Sequence, residues 1–326
     1  MGCGGLPCWW PGCCGAPACK SWPPPGRLHA QAPAGYPQAD GWLSTAYPLS
    51  GWQRRRHKLN PLQLAGGALL AVAVAAAAYA AGSLSRSGAW AAVAVGTLTF
   101  GVGGLLPAVL LLLFFLSSSG LSRVGGARKR SVAAAFSKGG RRDLGQVLAN
   151  GALAAVFSVG FGLSGGLPWM AALAGALAAV NADTWATELG VLARQEPRRI
   201  TSGERAAAGT SGAISLPGVL AALGGALCIG LPAGLALGQP VLAGLVAVAG
   251  LAGSFFDSLL GATVQAIYYC PACVKETERH PTHGCGSPTQ PLRGWRWLDN
   301  DDVNFAASMV GALVGAGAWL ALGVGS

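Results

Sequence analysis

The sequence predicts an all-α, polytopic helical membrane protein with about seven transmembrane helices (six to eight). Three observations carry that fold class. Of 326 residues, 52% are hydrophobic and only 10% are charged, whereas soluble domains average about 25% charged. Apolar stretches of about 20 residues, the length that crosses a bilayer, recur along the chain. The 51 Gly and 20 Pro fall partly inside those stretches, where lipid-buried helices tolerate them better than soluble helices do.

Residues 1–58 read differently from the rest. They are rich in Pro, Gly, Cys and Trp and contain one acid, Asp40, so a disordered or processed N-terminal segment is expected. Their scarcity of acids fits a plastid-type transit segment, but Ser and Arg are also scarce. Gly2 and Cys3 hint at acylation, although Leu6 stands where the myristoylation pattern wants Ser or Thr. The integral membrane domain is then expected over 59–326. Its predicted spans are 61–82, 89–118, 146–165, 168–190, 213–237, 239–266 and 303–324, with a Cys/His-containing loop over 268–298.

Seven spans make a charge prediction. If residue 58 marks one side, that side also receives the loops near 119–145, 191–212 and 267–302. It then holds 21 of the 22 Lys and Arg, leaving only Arg86 opposite. By the positive-inside rule this basic side is cytoplasmic or its organellar equivalent, in an inner or organelle membrane. The asymmetry accounts for the net charge of +10 without a nucleic-acid partner, and no nucleic-acid-binding module is visible. The expected surroundings are the lipid bilayer.

Polar residues interrupt this apolar chain at a few places. In "NADTWATELG" (181–190), with about 100° per residue, Asp183, Thr187, Thr184, Glu188 and Asn181 fall on one helix face. In "GSFFDSLLGATVQ" (253–265), Asp257 shares a stripe with Ser254, Ser258, Gly261 and Gln265. Both carboxylate helices point the same way, so Asp183, Glu188 and Asp257 lie toward the basic side. "WLDNDDVNF" (297–305) adds Asn300, Asp302 and Asn304 at that level, and "GQVLANG" (145–151) adds Gln146 and Asn150. Ionisable groups inside a span are costly and usually functional. The pattern therefore predicts one charged site, with Asp183, Glu188 and Asp257 as catalytic candidates. The bland alternatives are carboxylates solvated at the interface or bonds between helices.

Carboxylates and amides suit Mg2+, with Asp183 and Asp257 as its expected ligands. Lys138, Arg141, Arg142, Arg198 and Arg199, with Asn150, Asn181, Asn300, Asp302 and Asn304, are candidates to hold substrate and its phosphates. Gly209–Gly212, including Thr210 and Ser211, precede a helix start where backbone amides can cradle phosphate, with a simple turn as the equal alternative. No Walker loop or protein-kinase signature is present. "CPACVKETERHPTHGC" (270–285) reads C-x2-C-x6-H-x2-H-x-C. Four ligands from Cys270, Cys273, His280, His283 and Cys285 could close a structural Zn2+ site, with free thiols or a disulfide as the alternatives.

Five ordered blocks carry a resemblance: "KGGRRDLGQVLANG" (138–151), "NADTWATELG" (181–190), "PRRITSGERAAAGTSGAISLPG" (197–218), "GSFFDSLLGATVQ" (253–265) and "WLDNDDVNF" (297–305). The chain resembles the transmembrane protein 19 / phytyl-phosphate kinase family of integral membrane proteins over roughly 60–324. A plant branch of that family phosphorylates phytyl phosphate to the diphosphate. The resemblance thus implies an isoprenoid (phytyl or prenyl) monophosphate kinase using a nucleotide, its tail expected beside Trp185 and Phe256. The Cys/His loop departs from the plant branch. A transporter or ion pathway built on intramembrane carboxylates, and a non-catalytic membrane scaffold, are the rival readings of the same residues.

Overall fold

The computed structural model describes residues 60–124, 141–193 and 195–323; residues 1–58 and Lys138 lie outside them. Eight helices occupy the described residues: α1 (Pro61–Ala80), α2 (Arg86–Gly101), α3 (Leu105–Arg123), α4 (Leu144–Ser164), α5 (Leu167–Gly190), α6 (Leu216–Ala236), α7 (Pro240–Thr263) and α8 (Asn300–Ala321). Their starts follow local chemistry. Asn60, Ser85 and Ser215 accept backbone N–H bonds as N-caps. Asp143 and Asp299 form capping boxes with Gln146 and Asp302. Pro stands in the first turn of α1, α5, α6 and α7, where its missing N–H costs nothing.

The expected helical membrane architecture holds, with one division. The predicted span 89–118 is two helices, α2 and α3, separated at Val102–Gly104. Gly104 has φ 90°, and a Cβ on Gly103 would lie 2.5 Å from the Thr99 carbonyl oxygen and 2.7 Å from Ser158 Cβ. Only glycine allows this reversal. Six helices (α1, α3, α4, α6, α7 and α8) are long and apolar enough to cross a membrane. At 16 residues, α2 is about 24 Å long, short of the roughly 30 Å hydrocarbon core.

The division overturns the seven-span sidedness. Gly67 of α1 abuts Gly101 of α2, and Gln63 donates to the Phe100 carbonyl. Asn60 therefore stands at the end of the bundle where α2 finishes. The 83–88 connection stands at the other end, where Ser85 and Arg142 exchange a backbone bond and Arg123 reaches Ala81 and Ser83. Hence residue 60 is opposite the polar loops, and Arg86 is with them. Every described Lys and Arg lies in a segment at that one polar end.

Helix α5 is the central post. Every residue from Met170 to Ala182 is buried, packed by α3, α4, α6, α7 and α8. Its Ala and Gly content lets backbones approach closely, as van der Waals packing between membrane helices requires. A Cβ on Gly175 would lie 2.3 Å from the Gly311 carbonyl oxygen of α8, and one on Gly250 of α7 would lie 2.6 Å from Ala226 Cβ of α6. α7 runs parallel to α5, and α6 and α8 run antiparallel to it, so α5 and α7 both end at the polar end while α4, α6 and α8 begin there.

That end carries short strands as well. β1 (Arg198–Arg199) pairs with β2 (Ala213–Ile214). The segment read as a Cys/His loop folds as a three-stranded antiparallel sheet of order β4-β3-β5, with β3 (Ile267–Cys270), β4 (Lys275–Thr277) and β5 (Gln290–Arg293).

Candidate functional site

The polar helix ends enclose a cavity of about 430 Å³. Asp183, Thr184, Thr187 and Glu188 of α5 line it, as the polar face of "NADTWATELG" predicts. From α7 come Ser254, Asp257 and Ser258; from α4 and its approach come Arg142, Gln146 and Asn150; from α8 come Asn300 and Asn304. Gly209–Gly212 close another side. Parallel α5 and α7 thus bring two aspartates, distant in sequence, to one level.

The cavity gathers carboxyl groups. Asp183, Asp257 and Glu278 lie close enough for their charges to act on one another. The Oδ2 of Asp257 and the Oδ1 of Asn150 are enclosed and have no protein hydrogen-bond partner. Unsatisfied buried acceptors of this kind cost about 1–3 kcal/mol each. Hard oxygen donors, mostly carboxylate and amide, are what Mg2+ takes, so the residues present fit that ion.

Positive groups face the carboxylates. Arg142 lies over the rings of Phe114 (5.4 Å) and Phe115 (5.6 Å). Burial draws its guanidinium down to about 10, with Glu188 pulling the other way, so it remains charged at neutral pH. The N-termini of α4, α6 and α8 also converge here, each a partial positive charge. Asp143 and Asp299 already satisfy the first amides of α4 and α8. α6 has only the neutral Ser215 cap, preceded by the Gly209–Gly212 turn, in which Gly209 (φ 85°) and Gly212 (φ 77°) adopt left-handed backbone. Backbone amides at such a helix start are of the kind that can cradle an anion.

Other predicted residues stand elsewhere. Asn181 is fully buried; its amide donates to the Gly225 carbonyl of α6 at 2.7 Å, and its carbonyl accepts from Ser117 of α3 at 3.1 Å. Asp302 accepts from the Asp299 backbone in the α8 capping box. Arg141 lies 5.8 Å over the Tyr79 ring, and Arg198 donates to the Gly203 carbonyl. Arg199 pairs with Glu276 at 3.5 Å. Thr210 and Ser211 both line the cavity, and Ser211 also donates to Gln265 at 2.8 Å. The Trp185 indole is committed to Ser117 between helices.

Two neighbouring spaces complete the site. An apolar pocket of about 100 Å³ lies among α1–α4, lined by residues such as Leu70, Phe100, Leu111 and Phe115, and it shares Arg142, Gln146 and Asn150 with the polar cavity. On another side, a cavity of about 360 Å³ carries Arg199, Arg205 and Lys275 and shares Gly209, Thr210, Ser211 and Glu278 with the first.

Sequence reasoning missed Glu278 and Arg279, which line the carboxylate cavity. They sit in "KETERH" between the cysteine pair and the histidines, in a segment with no periodicity to orient them. Gln265, just past the end of α7, explains their placement. It accepts from Ser211 and donates to Glu278 at 3.1 Å, joining the Gly-rich turn to the small sheet. In that sheet module, Cys270, Cys273, His283 and Cys285 gather their ligand atoms within 4.8 Å. His280 instead stacks on Tyr268 with centroids 4.5 Å apart. The three cysteines of this group are free thiols.

Comparison with known proteins adds three findings. The model of the integral membrane protein family DUF92 matches residues 69–312, which contain all five resemblance blocks. Protein PGR of Arabidopsis thaliana is 36% identical over 267 residues, 73% of this chain and 89% of the relative. An uncharacterized membrane protein of Methanocaldococcus jannaschii is 32% identical over 213 residues, 64% of this chain and 74% of the relative. No solved structure matches.

Proposed function

The chain belongs to the DUF92 family of integral membrane proteins, and on that premise we propose that it is an isoprenoid monophosphate kinase. One observation carries the reading. The polar cavity and the apolar pocket among α1–α4 meet at Arg142, Gln146 and Asn150. A molecule with an anionic head and a hydrocarbon tail fits such a junction, its tail beside Leu70 and Phe115 rather than beside Trp185. Leu70 is exposed, so the tail has a route from the bilayer in which this protein sits.

The reaction forms a bond from an oxygen of the acceptor monophosphate to the γ-phosphorus of a nucleoside triphosphate. It breaks the bond from that phosphorus to the β-γ bridging oxygen, releasing the diphosphate nucleotide. Such transfers depend on positioning and charge neutralisation more than on covalent chemistry. Arg142 neutralises the acceptor phosphate. The Gly209–Gly212 amides and the α6 N-terminus cradle the γ-phosphoryl group as it passes to the acceptor oxygen, at the boundary between the two polar cavities. Arg199, Arg205 and Lys275 hold the donor's phosphates in the adjoining cavity. Asp183 and Asp257 would hold Mg2+, which when bound neutralises charge between donor and acceptor oxygens. Glu188, bonded to Ser122 at 2.5 Å, keeps a further carboxylate within the cavity as a base or ligand.

The test is a kinase assay on detergent-purified protein. Phytyl, geranylgeranyl and farnesyl monophosphates are offered with ATP, CTP, GTP and UTP, with and without Mg2+, and diphosphate is read by mass spectrometry. Mg2+-dependent product that falls by about 10²–10³-fold or more in Asp183→Asn supports the proposal. Unimpaired turnover in Asp183→Asn overturns the assignment of that residue. No product from folded protein overturns the kinase and directs the same preparation to ion-flux measurement in liposomes.

A further inference from the structure

Cys270 ends β3 and opens a tight turn through Cys273, after which β4 pairs back on β3 with Cys270 opposite Lys275. The chain then leaves the sheet at Thr277, passes through Glu278 and Arg279, and returns at His283 and Cys285 before β5. The return is close. Cys270 Sγ and Cys285 Sγ are 3.6 Å apart, and His283 Nδ1 is 3.2 Å from Cys285 Sγ. Sulfurs on a tetrahedral zinc, each about 2.3 Å from the ion, stand about 3.8 Å apart. A disulfide would need about 2.05 Å, so the observed spacing is that of ligands around an ion. Cys270 and His283 are buried while Cys285 is exposed, which leaves an entry path from solvent.

Three thiols and an imidazole meet here from two separate stretches of chain. The excursion 278–282 is tethered at its start by Gln265 to Glu278 and by Thr277 to the Arg279 amide. It is tethered beyond by Thr289 to Pro281 and by the His280–Tyr268 stack. No one of these ties the far ligands to the β3–β4 turn. A four-coordinate ion would do so at a single point, closing the loop that carries Glu278 and Arg279.

We propose that Cys270, Cys273, His283 and Cys285 bind one Zn2+, and that this ion positions Glu278 and Arg279 in the carboxylate cavity. The site is structural: four protein ligands fill the tetrahedron and leave no open position. His280, although within the same motif, is not a ligand. Its consequence for the cavity is specific. Glu278 joins Asp183, Glu188 and Asp257 in the cavity lining, and among the described residues it is the only one of these carboxylates supplied from outside the helices. Zinc loading would therefore set both the charge of the cavity and the shape of its wall toward Arg199 and Lys275. The inference stands whether or not the cavity transfers phosphoryl groups.

The full chain, purified without added metal or chelator, is tested by elemental analysis and by hydrogen exchange. Close to one zinc per chain is expected. Cys270→Ser and His283→Ala should lose most of it, His280→Ala should keep it, and His283→Cys should retain it as a four-thiolate site. Cobalt exchanged for zinc should give the ligand-field spectrum of a tetrahedral thiolate centre. On chelation, peptides over 275–289 should exchange at least about tenfold faster, while those of α5 and α7 keep their protection. Absence of zinc together with failure to take up cobalt overturns the site. Loss of metal in His280→Ala overturns the ligand set. Unchanged exchange at 278–282 after zinc removal overturns the positioning role.

Discussion

Replacing Asp257 by Asn keeps the shape of the side chain and removes one charge from the cavity. In the native protein its Oδ2 is enclosed without a hydrogen-bond partner, and Asp183 and Glu278 act on it with the same sign of charge. An unsatisfied buried acceptor costs about 1–3 kcal/mol. The amide offers two donors and no charge, so much of that cost should be relieved. Asp257→Asn is therefore expected to be more stable than the native protein when Mg2+ is absent. For a chain of this size, about 2–4 °C of melting temperature accompany each kcal/mol, which makes the expected rise several degrees. Mg2+ should reverse the order. An ion present at 100 times its Kd contributes about 2.7 kcal/mol, a gain open to the native protein and largely closed to the variant. The assay is thermal unfolding in detergent, followed by tryptophan fluorescence, with a Mg2+ titration on both proteins. A variant that melts lower than the native protein in Mg2+-free buffer would refute the reasoning, because it would make Asp257 a structural bond between helices. An equal Mg2+ shift in both proteins would refute the ligand assignment.

Other perturbations separate structure from chemistry. Asn181→Leu removes two buried bonds that stitch α5 to α3 and α6 and should lower stability by about 2–4 kcal/mol, seen as a lower melting temperature with the native Mg2+ shift preserved. Gly212→Ala places a Cβ about 2.3 Å from the Ala262 amide nitrogen at φ 77°, so the Gly209–Gly212 turn must move. Activity should fall at least about tenfold while helical circular dichroism stays native. Arg142→Gln removes the charge at the junction of the polar cavity and the apolar pocket. It should raise KM for the isoprenoid monophosphate by about 10–100-fold and leave nucleotide KM nearly unchanged, measured by steady-state kinetics with each substrate varied in turn.

Composition and periodicity alone determine the helical membrane class, the polar faces around Asp183 and Asp257, and the caps that start most helices. These are local properties: a wheel about one axis, a hydropathy over about 20 residues, a Ser or Asp before the first turn. The five blocks likewise point to the family that the comparisons bear out. Tertiary structure decided the rest. It divided 89–118 at Gly103 and Gly104, where Ser158 of a distant helix lies so close that a Cβ on Gly103 would meet it at 2.7 Å. That division moved residue 60 to the far end of the bundle. It withdrew Asn181 into helix packing and Asp302 into a cap, since a wheel shows which face a residue is on but not which neighbour meets it. It also brought Glu278 and Arg279 to the cavity through Gln265, a bond spanning 13 residues of irregular chain whose path no periodic pattern encodes.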